Sequence, residues 1–113
     1  MTAAQRRRRY FGDAALLVVV GAVTIAAAAN DYSVSQKRRA FNVKELSVAR
    51  GTMVHFVNDD EFIHQIYIDS PAFSFDSAES SPGNTIDVRF TTAGTYEVRC
   101  HIHPKMLLNV TVQ

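Results

Sequence analysis

An all-β sandwich is the fold class this sequence predicts, on two patterns and one absence. Beyond Phe41, apolar residues recur at every second position in short runs, and Gly, Pro, Asn, Asp and Ser fill the gaps between them. No segment after Asp31 carries a helical apolar period of useful length. Phe41 and Val43, then Leu46 and Val48, alternate with polar neighbours, and Met53 to Val57 is a β-rich run entered through Gly51. Gln65 to Asp69 holds Ile66, Tyr67 and Ile68. Ile86, Val88 and Phe90 alternate with Asp87 and Arg89, as Tyr96, Val98 and Cys100 do with Glu97 and Arg99. Leu108, Val110 and Val112 close the series. Asp59-Asp60, Ser70-Pro71, Ser81-Pro82-Gly83-Asn84 and Ala93-Gly94 mark the turns. Ser70 to Ser81 is the least regular stretch and reads as a long crossover loop. Short strands at this spacing belong to sandwiches and barrels.

A chain of 113 residues has room for one domain. With 47% hydrophobic and 20% charged residues it has the balance of a globular protein, not a disordered one. The net charge of +1 conceals an uneven distribution, because Arg6, Arg7, Arg8 and Arg9 sit together at the start. From Asn30 onward eight Lys/Arg face ten Asp/Glu, which leaves no basic field to hold nucleic acid.

Residues 1–29 read as an address. The arginine block precedes an apolar run from Ala14 to Ala29 that ends in four alanines before Asn30 and Asp31. This is the order of a secretory signal peptide. The run falls short of the roughly 18 residues usual for a spanning helix, and an uncleaved membrane anchor is the alternative. Arg8-Arg9-Tyr10-Phe11 resembles a twin-arginine export pattern. Either route places the rest of the chain outside the cytoplasm, and a periplasmic location is expected. Residues 30–40 read as a linker and 41–113 as the folded domain.

One segment carries chemistry: Cys100-His101-Ile102-His103-Pro104-Lys105-Met106. A strand delivers the cysteine, a histidine follows three residues later, and a methionine three after that. His64 lies far upstream, just before another strand. Two imidazoles, a thiolate and a thioether are the donor types of a blue-copper centre. Soft sulfur stabilises Cu(I), and imidazole suits both oxidation states. Pro104 stiffens the loop. Strand parity turns Cys100 inward with Tyr96 and Val98, and turns His101 outward as a non-ligand. By the same parity His55, between Val54 and Phe56, lies on the outer face. Asp59, Asp60 and Glu61 read as a solvated turn, since no further oxygen donors follow at loop spacing. The chain has one cysteine, so no internal disulfide forms.

From about Phe41 to Gln113 the chain resembles the cupredoxins, the plastocyanin-like family of small electron carriers. The resemblance rests on Gly51 before Val54-His55-Phe56-Val57-Asn58, on His64 after an acidic turn, on Phe90 and Gly94-Thr95-Tyr96, and on Cys100-x-x-His103-Pro104-x-Met106. The short gap between His103 and Met106 is most like amicyanin. The resemblance implies a Greek-key sandwich of about eight strands with one copper ion, cycling between Cu(I) and Cu(II), held by His64, Cys100, His103 and Met106. It implies that Asn58 ties the ligand loops by hydrogen bonds, with plain turn-capping as the alternative. Gln65 stands where the family often has an asparagine bonded to the cysteine loop. The expected function is single-electron transfer between redox partners that dock briefly near His103, where Pro104, Ile102 and Phe62 form an apolar patch. A monomer and no enzymatic activity are expected, because a filled coordination sphere leaves no open position. A periplasmic copper chaperone or copper-resistance protein on the same fold is the alternative.

Overall fold

The computed structural model describes residues 30–113. The leader expected over 1–29 lies outside them. The described residues form nine strands: β1 (Asp31–Lys37), β2 (Ala40–Phe41), β3 (Glu45–Val48), β4 (Met53–Asn58), β5 (Tyr67–Ile68), β6 (Phe75–Asp76), β7 (Thr85–Arg89), β8 (Gly94–Arg99) and β9 (Leu107–Val112). They make two layers, β2-β1-β4-β7 and β3-β9-β8-β5-β6. The all-β sandwich is therefore observed, with β1 parallel to β4 and β3 parallel to β9. Among the described residues no helix is long and apolar enough to cross a membrane.

The core lies between the layers. Val34, Val54, Phe56, Val88 and Phe90 enter from one sheet, and Ile68, Tyr96, Val98, Leu108 and Val110 from the other, all almost fully buried. Each set follows the period of two, because alternate strand residues face opposite sides. Phe41 packs edge-on against Phe56 with centroids 5.9 Å apart.

The linker expected over 30–40 is corrected by β1 and β2. Asp31–Lys37 pairs with β4 along its length, from Asp31 opposite Met53 to Gln36 opposite Asn58. Its buried face is Val34 and Gln36, both 0% exposed. An inward glutamine between outward serines hides the apolar alternation of a half-buried strand. Met53 N–H donates to Asn30 O, and at the same pole Arg50 N–H donates to Gln113 O. The long crossover also carries structure: β6 pairs with β5, and Ser80 forms a bridge to His64.

Arg38 and Arg39 connect β1 to β2, both at φ 56°. A two-residue hairpin turn with positive φ at both positions is normally filled by Asn-Gly. Two arginines there hold strain of about 1–2 kcal/mol each. Gly94 begins β8 at φ 148°, and a Cβ on it would lie 2.9 Å from Tyr96 Oη. That hydroxyl is fixed by donation to Thr92 O or Ala93 O, at 2.9 and 3.0 Å. Gly94→Ala is expected to cost about 2–3 kcal/mol through backbone strain and displacement of the tyrosine. Thermal melting should show a drop of roughly 10 °C or more.

His55 lies on the outer face, as strand parity requires. Its Nδ1–H donates to Asp87 at 2.6 Å and its Nε2–H to Asp31 at 3.3 Å. The bond to Asp87 first, then that to Asp31, raises its pKa above the usual 6.5. A raised native pKa stabilises the fold fully below the unfolded value, and the contribution disappears as pH rises through the native value. The melting temperature is expected to fall as pH rises above 6.5 through the native value, and His55→Gln should flatten the fall.

Candidate metal centre

Three elements meet at one end of the sandwich. β8 runs Tyr96-Glu97-Val98-Arg99 with Tyr96 and Val98 buried, and the next inward position is Cys100, 1% exposed. The chain then turns: Met106 N–H donates to His103 O at 3.0 Å, closing a β-turn with Pro104 at its second position. The fixed φ of proline suits that position. Met106 is 2% exposed and leads directly into β9.

His64 comes from the opposite side. His64 and Ser80 exchange two backbone hydrogen bonds at 3.0 and 2.7 Å. Asn58 holds the approach: its Nδ2 donates to Phe62 O at 2.9 Å and Ser80 O at 2.8 Å, while its Oδ1 accepts from Asp60 N–H at 2.9 Å. The asparagine thus caps the turn and ties it to Ser80. Gln65 provides the link to the cysteine loop. Its Oε1 accepts from His101 N–H at 3.1 Å and its Nε2 donates to Asp76, Ile66 O and Ser77 O. The longer amide does the bridging work expected of a shorter one.

His64, Cys100 and His103 offer donor atoms that all lie within 4.8 Å of one another. Cys100 Sγ is 3.8 Å from His103 Nδ1, and the two imidazole centroids are 4.7 Å apart. With metal–ligand bonds of about 2.0–2.3 Å, three donors in a plane around one ion stand roughly 3.5–4 Å apart. His64 is fully buried, and its Nδ1 has no hydrogen-bond partner. A buried acceptor left unpaired beside a thiol is what a metal would satisfy. Burial, then the neighbouring His64 ring and Arg39 guanidinium, hold the His103 pKa below the usual 6.5. Neutral imidazole, the form that binds metal, is thereby favoured.

His101 points out and stacks on Tyr67, rings 3.7 Å apart and 5° from parallel. Its outward direction is the one parity predicted, and it stands outside the cluster of His64, Cys100 and His103.

Asp60 departs from the solvated turn that was expected. Its Oδ2 lies 2.9 Å from His64 Nε2, the carboxylate is 5% exposed, and Arg39 and Glu61 N–H groups also donate to it. Burial pushes its pKa up, but the Arg39 N–H, the His64 ring N–H and the Glu61 N–H outweigh it and hold the group at about 2. Nothing in the sequence separates Asp60 from Asp59 and Glu61, because its role depends on the β1–β2 turn arriving from elsewhere in the chain.

The family model for copper binding proteins of the plastocyanin/azurin family matches residues 28–113. The chain belongs to that family. The cupredoxin region thus begins well before Phe41, in agreement with β1. Plastocyanin from Ulva arasakii is 34% identical, over 66% of this chain and 87% of the relative. Chloroplastic plastocyanin from Chlamydomonas reinhardtii is 32% identical, over 73% of this chain and 65% of its own length. A reduced Cu(I) form of amicyanin shares the fold at a TM-score of 0.68 and 24% identity, covering 79% of this chain and 86% of amicyanin. The Cu-containing nitrite reductase from Thermus scotoductus also contains this fold, at a TM-score of 0.67 and 26% identity, covering 84% of this chain and 24% of the enzyme. Copper is the metal that the family and the donor set of this cupredoxin both specify.

Proposed function

We propose that this cupredoxin carries single electrons between partner proteins in the periplasm, on one copper that His64, Cys100, His103 and, as a weaker donor, Met106 would hold. The observation that carries the reading is the convergence of two imidazoles and a buried thiol in one compact cluster. Copper bound there supplies a one-electron Cu(I)/Cu(II) couple. The chain's part is to hold the donors still. Cys100 is fixed by β8, His64 by Ser80 and Asn58, and His103 by the Pro104 turn. A rigid donor set acceptable to both states keeps rearrangement small when an electron passes.

His103 is the partly exposed member of the set, and its ring lies steeply tilted to Phe62 with centroids 6.3 Å apart. Phe62 and Ile102 are exposed beside it. A small apolar patch of this kind supports brief docking, at the low end of interface sizes. Arg38, Arg39 and Lys105 line a cleft of about 420 Å³ beside His103, with Ile102 and Pro104. Asp59, Asp60 and Glu61 line a second cleft with Arg38. The cationic side favours partners with an acidic rim next to their own redox centre. The strain accepted at Arg38 and Arg39 fits a functional turn, since strained backbone clusters at such sites. The arginine block and apolar run of residues 1–29 support export.

The test is to load the purified protein with Cu(II), then reduce and reoxidise it repeatedly. An intense blue band with narrow copper hyperfine splitting, recovered in each cycle without metal loss, is the expected result. A pale product that releases copper to an acceptor on reduction would replace the carrier with a chaperone.

A further inference from the structure

The inference rests on the reading of His64, Cys100 and His103 as copper ligands. We propose that Asp60 is the positioning residue of the centre: its carboxylate holds His64 in the Nε2–H form, leaving Nδ1 for the metal, and its charge lowers the reduction potential.

Three observations lead there. Asp60 Oδ2 lies 2.9 Å from His64 Nε2, so a neutral His64 donates from Nε2 and keeps its lone pair on Nδ1. Nδ1 is buried and unpaired, on a ring that stands 4.7 Å from the His103 ring. The carboxylate itself is built in: backbone N–H groups of Arg39 and Glu61 donate to its two oxygens at 2.8 and 2.9 Å, and the Asp60 backbone N–H donates to Asn58 Oδ1. The Arg39 guanidinium forms no ion pair with it. Arg39 instead lays its cation over the Phe62 ring, 4.6 Å from the centroid.

A carboxylate on the far nitrogen of a metal-bound imidazole makes that imidazole a stronger donor, and such partners govern affinity nearly as much as the ligands. Here the charge is buried one ring away from the copper position, where solvent screens it little. It favours the more positive, oxidised state. Asp59 lies in the same turn but is exposed and accepts from Ser35 Oγ, so the role falls to one carboxylate of three.

The test has two readouts. In the metal-free protein, nitrogen NMR of His64 near pH 8 is expected to show the proton on Nε2, and Asp60→Ala should give a mixture of tautomers. In the copper-loaded protein, Asp60→Asn keeps an acceptor but removes the charge. Its Cu(II) affinity is expected to fall about tenfold or more relative to Cu(I), a rise in potential of about 59 mV per tenfold. Wild-type His64 protonated on Nδ1 would overturn the proposal with no variant needed. A potential unchanged in Asp60→Asn would overturn the charge effect. A wild-type protein that forms no copper–thiolate site would overturn the copper reading itself, while the tautomer measurement still judges Asp60 alone.

Discussion

Cys100→Ser, supplied with Cu(II), is expected to lose the intense visible band entirely and to show wide copper hyperfine splitting. The sulfur is the only soft anionic donor in the cluster, and it is 1% exposed at 3.8 Å from His103 Nδ1. Serine is close in shape, so the strand and the turn around it should hold. Its hydroxyl stays protonated at neutral pH and is a hard donor, which removes both the strong electronic coupling to copper and the preference for Cu(I). His64 and His103 remain, so copper is still expected to bind, but more weakly. A buried hydroxyl costs about 1–3 kcal/mol, small enough that circular dichroism should match the parent. A variant that stayed blue would place the thiolate outside the metal site. Absorption and EPR spectra of the two proteins at equal copper decide the matter.

Phe56→Ala should cost more stability than Gly94→Ala. Phe56 is fully buried on β4, between the sheets and against Phe41. Removing such a ring costs about 3–5 kcal/mol, against a total of roughly 4–13 kcal/mol for a domain of this size. The metal-free variant should therefore stand near its unfolding threshold. β4 also ends at Asn58, which braces the His64 turn, so the damage reaches the centre. A metal that binds only the folded state stabilises it by about 4 kcal/mol at a thousandfold excess over Kd. Denaturant titrations should show a large loss without copper and a substantial recovery with it. A metal-free midpoint equal to the parent's would mean that the two layers do not depend on this ring for cohesion.

Much of the centre was legible because strand parity converts sequence spacing into direction. Tyr96 and Val98 fix which side of β8 is the core, so Cys100 had to point in and His101 out. The same rule put His55 outside. What stayed hidden depends on contacts between distant segments. β1 has a single fully buried aliphatic residue, Val34, and an inward glutamine, so its pattern is that of a linker until β4 pairs with it. Asp60 looks like its acidic neighbours until the Arg38-Arg39 turn lands on it. Gln65 seemed a departure, yet its extra methylene still reaches His101 N–H.

The hydrogen bonds of Met53 N–H to Asn30 O and of Arg50 N–H to Gln113 O bring positions 30 and 113 to the same small turn. That turn and the copper site lie at opposite ends of β4, a strand length of roughly 20 Å apart. The sandwich is therefore a cassette with both splice points at one end and its metal centre at the other. Chain can be added at either point, or the whole unit inserted into a larger protein, without shading His103. A module wired this way is as easily tethered, fused or set loose to diffuse, and the nitrite reductase that contains the same fold is matched over 24% of its length.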